Sequence, residues 1–189
     1  MDYTSITSRK WFKPLVIVGI IILMILMIIP IFSSRFNRAV TLEENVNTSV
    51  SNISKEEQRR VDLFNNLVDA VESARTFEQT TQTKIAEARS QANKGQVGEA
   101  LLTINNVVEA YPEIKTTDLY KQTMTEFSVT ENRLAGYREQ YNQDVRSYNA
   151  YVRKFGNSII LGLMGYDKKD YKYLDYKVNN NEARNLFNQ

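Results

Sequence analysis

The stretch from Leu15 to Phe32, LVIVGIIILMILMIIPIF, carries no charged residue and is apolar almost throughout. A helix rises about 1.5 Å per residue, so roughly 18 residues reach about 27 Å, close to the hydrocarbon thickness of a bilayer. Lys13 and Arg35 bracket the run where both can reach headgroups, and Trp11 and Phe12 stand where interfacial aromatics anchor a span. The expectation is a transmembrane helix at 15–32, preceded by a short polar tail at 1–14. A cleaved signal peptide would have a shorter apolar core and small residues at its exit. Here the exit reads Ile31-Phe32-Ser33-Ser34-Arg35, without an A-x-A pattern. The chain is therefore expected in the cell membrane, single-pass, with the lipid bilayer as its first partner. Arg9, Lys10 and Lys13 on one side against Arg35 and Arg38 on the other lean towards N-in, C-out.

The segment after the anchor, about 155 residues, suits one domain. With 24 basic and 22 acidic residues the net charge is +2, so no broad nucleic-acid footprint is expected. There is no histidine and no cysteine. That removes His-based and thiol nucleophilic catalysis, lipoprotein processing and nearly every zinc site. Oxygen-ligand metals and carboxylate acid–base pairs stay formally open. Only 7 Gly and 3 Pro occur, which suits long helices.

From Arg35 to about Gln91 there is no Gly or Pro, and apolar residues from Phe36 through Val46, Val61 and Phe64 to Phe77 recur at steps of three and four or their sums. One long amphipathic helix is expected, continuous with the membrane helix or bent near Pro30. Gly95 reads as a helix C-cap. A second helix is expected from about Glu99 to Ala110, ended by Tyr111-Pro112. A third is expected from about Asp118 to Lys154, N-capped by Thr116 or Thr117. Along it Tyr137, Tyr141, Tyr148 and Tyr151 interleave with Arg133, Arg138, Arg146 and Arg153. Such a row suits single-stranded nucleic acid or, more simply, a tyrosine-rich helix seam. Glu131, Glu139 and Asp144 break the charge into both signs, so the seam is preferred and no nucleic-acid partner is expected. Ser158–Met164 is apolar but too short to span a membrane, and is expected to cap the bundle end.

Several blocks then resemble the LemA family. FNRAVTLEENV directly after the span looks like its YNxLVxLxExV opening. SNISKEEQRRVDLFNNLVDAV resembles WSNIDVQLKRRxDLIPNLVETV, matching at Ser51, Asn52, Ile53, Arg59, Arg60, Asp62, Leu63, Asn66, Leu67 and Val68. VVEAYPEIK is similar to AEAYPDLK, and ENRLAGYREQYNQDVRSYNAYVRKFGNSII to ENRIAxARxxYNxxVxxYNxxIxxFPSNLI. Val50, Glu57, Asn65, Gly156 and Tyr166 depart from the pattern, as in a divergent member. Asn65 replaces a proline, which suggests a straighter helix there. The resemblance implies an all-α fold: an N-terminal transmembrane helix, then an antiparallel bundle of long helices at 33–166. It implies a bacterial membrane protein and no defined biochemical activity.

Two groups of residues stand out as candidate sites. The first is the polar cluster Arg59, Arg60, Asp62 and Asn66, near Glu56 and Glu57. Glu56 stands at i, i+3 and i, i+4 from Arg59 and Arg60, and Arg59 can instead turn across to Asp144 or Glu131. Interhelical pairing or docking is expected there rather than catalysis. The second is the polar tail at 167–189, where Tyr171, Lys172, Tyr173, Tyr176 and Lys177 alternate aromatics with lysines, either as an interfacial or docking element or as a loosely held end. The function expected is a non-catalytic scaffold or interaction module at the membrane, with protein partners or a homo-oligomer and no cofactor. The alternative is a regulator or sensor that binds a ligand or lipid through the C-terminal loop and tail.

Overall fold

The structure, a computed structural model, describes residues 12–174. It holds five α-helices: α1 Phe12–Ala74, α2 Gln79–Asn93, α3 Val97–Ala110, α4 Asp118–Arg153 and α5 Phe155–Leu163. A 3-10 helix at Pro112–Thr116 joins α3 to α4, and among the described residues there is no strand. The protein is an all-α helical bundle with one long apolar N-terminal helix.

α1 passes through Pro30 without a break. Proline removes one backbone bond, which is tolerated where neighbouring carbonyls find other partners. The large side chains from Leu15 to Ile31 are exposed, Leu15 at 72% and Leu26 at 65%. This is the one helix among the described residues long and apolar enough to cross a membrane. Trp11, Arg9 and Lys10 lie outside the described residues. Beyond the run, one row of buried positions on α1 steps by three, four or seven, through Ala39, Leu42, Val46, Ser49, Glu56, Leu63, Leu67 and Ala70, with Phe64, Val68 and Val71 buried beside its last turns. That is one helix face turned to a partner helix.

The helix expected from Arg35 to Gln91 in one piece is instead two. α1 ends at Ala74, four residues are non-helical, and α2 begins at Gln79. No Gly or Pro marks the break; packing makes it. Phe77, which fits the periodic stripe, leaves the helix and is buried edge-on against Tyr111 at 5.2 Å. The Arg75 guanidinium lies over the Tyr111 ring at 4.4 Å and pairs with Glu113 at 2.8 Å. The reversal lets Ile85, Ala88 and Ala92 of α2 join the cluster built by Phe64, Leu67 and Val71 of α1. α3 starts at Val97, two residues earlier than expected, and packs along α2.

Helix ends follow local chemistry. At Gly95, φ +84°, the Gly95 N–H reaches Ala92 O and the Gln96 N–H reaches Gln91 O. This pair of bonds is a Schellman cap, and it needs a left-handed residue that glycine supplies without strain. Gly165, φ +70°, closes α5 in the same way through Tyr166 N–H to Leu161 O at 2.9 Å. Thr117 stands before α4, and its hydroxyl accepts the Tyr120 N–H at 3.4 Å. α4 ends at Arg153, one residue short of the expected limit. α1 is helical through Asn65, where the resemblance has proline.

The chain divides into two compact units. One takes its described residues from Met1–Asn45 and Val145–Lys172, the other from Val46–Asp144 and Tyr173–Gln189. The second contains α2, α3 and the main hydrophobic cluster. In the second unit α1 and α4 run antiparallel: partners on α4 fall in number as α1 advances, from Ser49–Asp144 to Arg60–Glu131.

Candidate functional site

In the unit holding Val46–Asp144, the face of α1 that meets α4 turns polar between the buried Val46 and Leu63. Ser49 donates to Asp144 at 2.7 Å. Glu56, only 8% exposed, faces Arg133 at 3.5 Å. Arg60 pairs with Glu131, Arg59 approaches Glu126 at 3.8 Å, and Glu57 meets Arg138 at 3.3 Å. The antiparallel register brings acid on one helix to base on the other. Arg59 does turn across to α4, but to Glu126 rather than to Asp144 or Glu131. Glu56 pairs across the seam and not along its own helix. The reason is burial: a carboxylate on the inner face has α4, not its own exposed flank, as its nearest source of cations. The outer pairs are exposed and worth about 0–1 kcal/mol each, so they serve alignment more than stability.

Asp62 and Asn66 are exposed on the flank of this seam. Asp62 accepts from Gln58 at 3.1 Å, an i, i+4 contact within α1. Asn66 lines a shallow open hollow with Asp69, Leu119 and Glu126. The structure therefore joins Arg59 and Arg60 to α4 and leaves Asp62 and Asn66 outside that network. Among the described residues no group of acidic, histidine or cysteine side chains stands close enough to hold a metal ion.

The tyrosine–arginine row of α4 also resolves into a seam. Tyr141 and Tyr148 are buried, and Arg133 and Arg138 are held by Glu56 and Glu57. Two asparagines of that row have a role the sequence reading missed. Asn142 and Asn149 each follow a buried tyrosine, seven residues apart along α4. Asn142 donates to Leu174 O at 3.1 Å and accepts the Leu174 N–H at 2.8 Å. In the other unit, Asn149 donates to Tyr171 O at 3.3 Å. A side-chain amide can pair with both backbone groups of one residue, so it clasps chain that has no helix of its own. The repeated Tyr-Asn pair was the available signal.

Tyr171 also packs edge-on against Tyr148 with ring centres 5.1 Å apart. Lys172 and Tyr173 are exposed, while Tyr176 and Lys177 lie outside the described residues. Before this segment, the Tyr166 hydroxyl donates to Glu43 of α1, and the Lys169 N–H donates to the Tyr148 hydroxyl at 2.9 Å. Tyr166, half-buried, replaces a phenylalanine of the LemA pattern, and its hydroxyl has found an acceptor in Glu43. Burial raises the Tyr166 pKa well above the usual tyrosine value, and the bonds to Glu43 and Tyr148 raise it further. A raised folded-state pKa gives stability that is complete below the unfolded value near 10 and lost as pH climbs towards the folded one. Unfolding followed above pH 10 should therefore show alkaline loss of stability that Tyr166→Phe reduces. An identical alkaline profile in the variant would mean that Tyr166 does not contribute.

The LemA family profile matches residues 49–185, which runs from the polar seam through the clasped segment. Magnetosome protein MamQ 2 of Paramagnetospirillum magneticum is 26% identical over 174 residues, covering 72% of this chain and 64% of the relative. Magnetosome protein MamQ of Magnetospirillum gryphiswaldense is 24% identical over 174 residues with the same coverage. Protein LemA of Metamycoplasma hominis is 24% identical over 142 residues, 69% of this chain and 65% of the relative. The chain thus spans 64% to 65% of the length of these relatives.

Proposed function

Since the chain belongs to the LemA family, we propose that it works as a membrane-anchored, non-catalytic scaffold in the cell membrane, presenting a helical bundle to protein partners or to further copies of itself. One observation carries this reading. The exposed apolar run and the bundle share a single helix, α1. The apolar run thus continues into residues of the bundle within one unbroken helix. The charged residues support it as well: those of the seam pair with one another instead of converging on an enclosed cavity.

A second reading is favoured by the segment after α5. It has no helix of its own, its backbone is clasped by side chains such as Asn149 on the Tyr171 carbonyl and the Tyr148 hydroxyl, which accepts the Lys169 N–H, and Lys172 and Tyr173 are exposed. Such a segment suits reversible capture of a ligand or lipid by a membrane regulator.

Chemical cross-linking in native membranes, before detergent extraction, separates the two. The scaffold reading expects a discrete cross-linked homo-oligomer or complex that survives truncation after Asp170. Loss of that complex on truncation transfers the role to the tail. A chain that stays monomeric and uncross-linked at native abundance removes the scaffold reading.

A further inference from the structure

We propose that α5 is a second membrane contact, with Phe155, Ile159 and Leu163 seated in the headgroup–acyl boundary at the surface where α1 leaves the bilayer. These three residues follow one another at four-residue steps and so form one line along the helix. They are 83%, 48% and 73% exposed. The opposite side of the helix is turned inward, with Asn157 and Leu161 both buried. α5 is thus amphipathic in an unusual sense: its inner side is used by the unit's own core, and its apolar outer side is left exposed.

The occupant follows from where α5 stands. Arg35 donates to Asn157, and the Tyr151 hydroxyl donates to Arg35 O at 3.2 Å. All of these residues belong to the unit that contains the apolar run. Arg35 lies three residues past Phe32, about 5 Å along the helix axis. The start of α5 is therefore level with the end of the span. The junction of α4 and α5 places Arg153 and Lys154 beside the start of α5, both exposed and suited to headgroup phosphates. A helix of nine residues is about 14 Å long, too short to cross the membrane; with its start at Arg35 and Tyr166 beyond its end on Glu43, it can rest obliquely on the bilayer surface, start deepest. An apolar line at that depth meets lipid, since the bilayer surface is already beside it.

The proposal rests on the reading of residues 15–32 as a bilayer span, and the experiment tests that premise separately. The chain has no cysteine, so single cysteines can be introduced and labelled with a nitrobenzoxadiazole fluorophore. Ile159→Cys, Leu163→Cys, Met24→Cys and Gln82→Cys variants of the 189-residue chain are reconstituted into phosphatidylcholine–phosphatidylglycerol vesicles. Vesicles carrying shallow spin-labelled lipid serve as quencher. Labels at 159 and 163 should emit blue-shifted and be quenched several-fold more strongly than the label at 82. Aqueous emission at 159 and 163 with a buried label at 24 overturns the proposal and leaves the span standing. An aqueous label at 24 removes the span and the proposal with it. Labels at 159 and 163 that are shielded from water but not quenched by lipid, with disulfides linking two unlabelled chains of the Ile159→Cys variant, overturn it in favour of a second copy as occupant. Circular dichroism of each labelled chain establishes that helix content is unchanged, so an aqueous signal is not read from an unfolded protein.

Discussion

Arginine at both Leu23 and Met27 will move the chain out of the membrane fraction. The two positions lie in the middle of the apolar run, are 56% and 64% exposed, and share one face at i, i+4. Both face outward, so the substitution acts on lipid contact and not on the buried core. Placing an arginine at the centre of a membrane helix costs about 2.5–3.5 kcal/mol on insertion scales, and two cost roughly 5–7 kcal/mol. Near the middle of the span, snorkelling offers the least relief. The measurement is the fraction of chain resistant to alkaline carbonate extraction, against a Leu23→Ala, Met27→Ala control that keeps the run apolar. The control should stay membrane-bound while the arginine pair is extracted. Full retention of the arginine pair would show that residues 15–32 are not what holds the chain.

Phe64→Ala should cost about 3–5 kcal/mol of bundle stability, the range for truncating a fully buried aromatic. Phe64 is 0% exposed and belongs to the cluster that gathers α1, α2, α3 and α4 in one unit. The loss is large against the roughly 5–15 kcal/mol that a typical domain has in total. It combines lost burial with a cavity that long, mutually supported helices close only in part. Chemical denaturation of the chain in detergent micelles, followed by helix signal, reads it as a fall in midpoint. Val50→Ala is the comparison: Val50 is also an apolar residue of α1 but is 45% exposed, so a change within about 0.5 kcal/mol is expected. Equal midpoints for the two variants would place Phe64 outside the cooperative core. The pair also separates two kinds of apolar residue that look alike in the sequence.

Much of the architecture is legible in the chain because it depends on near neighbours. Tyr111-Pro112 ends α3 and Gly95 closes α2, since proline and a left-handed glycine act within a turn or two. Thr117 precedes α4 for the same kind of reason. The membrane-type run from Leu15 to Phe32 is a matter of length and composition. The break after Ala74 is not legible, because nothing between Arg75 and Glu78 forbids a helix. Phe77 keeps the periodic step and still leaves the helix, held by Tyr111, a residue 34 positions later.

The candidate polar cluster divides along the same line. That Glu56, Arg59 and Arg60 would enter ion pairs follows from their types and spacing. Which residues they meet follows from the register of α1 against α4, and spacing within α1 carries no information about it. The asparagine clasps on Leu174 and Tyr171 are of the same kind, since a side-chain amide is satisfied by any backbone that passes.

By itself, then, the sequence determined that residues 15–32 form an apolar run of membrane-spanning length, that the body following it is helical, and roughly where most of the described helices begin and end. Those outcomes are set by hydrophobic period, composition and capping chemistry, all of them local. The tertiary structure alone decided where the first long helix reverses, which charges pair across the seam, and which apolar residues of α5 remain uncovered. These are settled by contacts between residues far apart in the chain, where packing outweighs local preference.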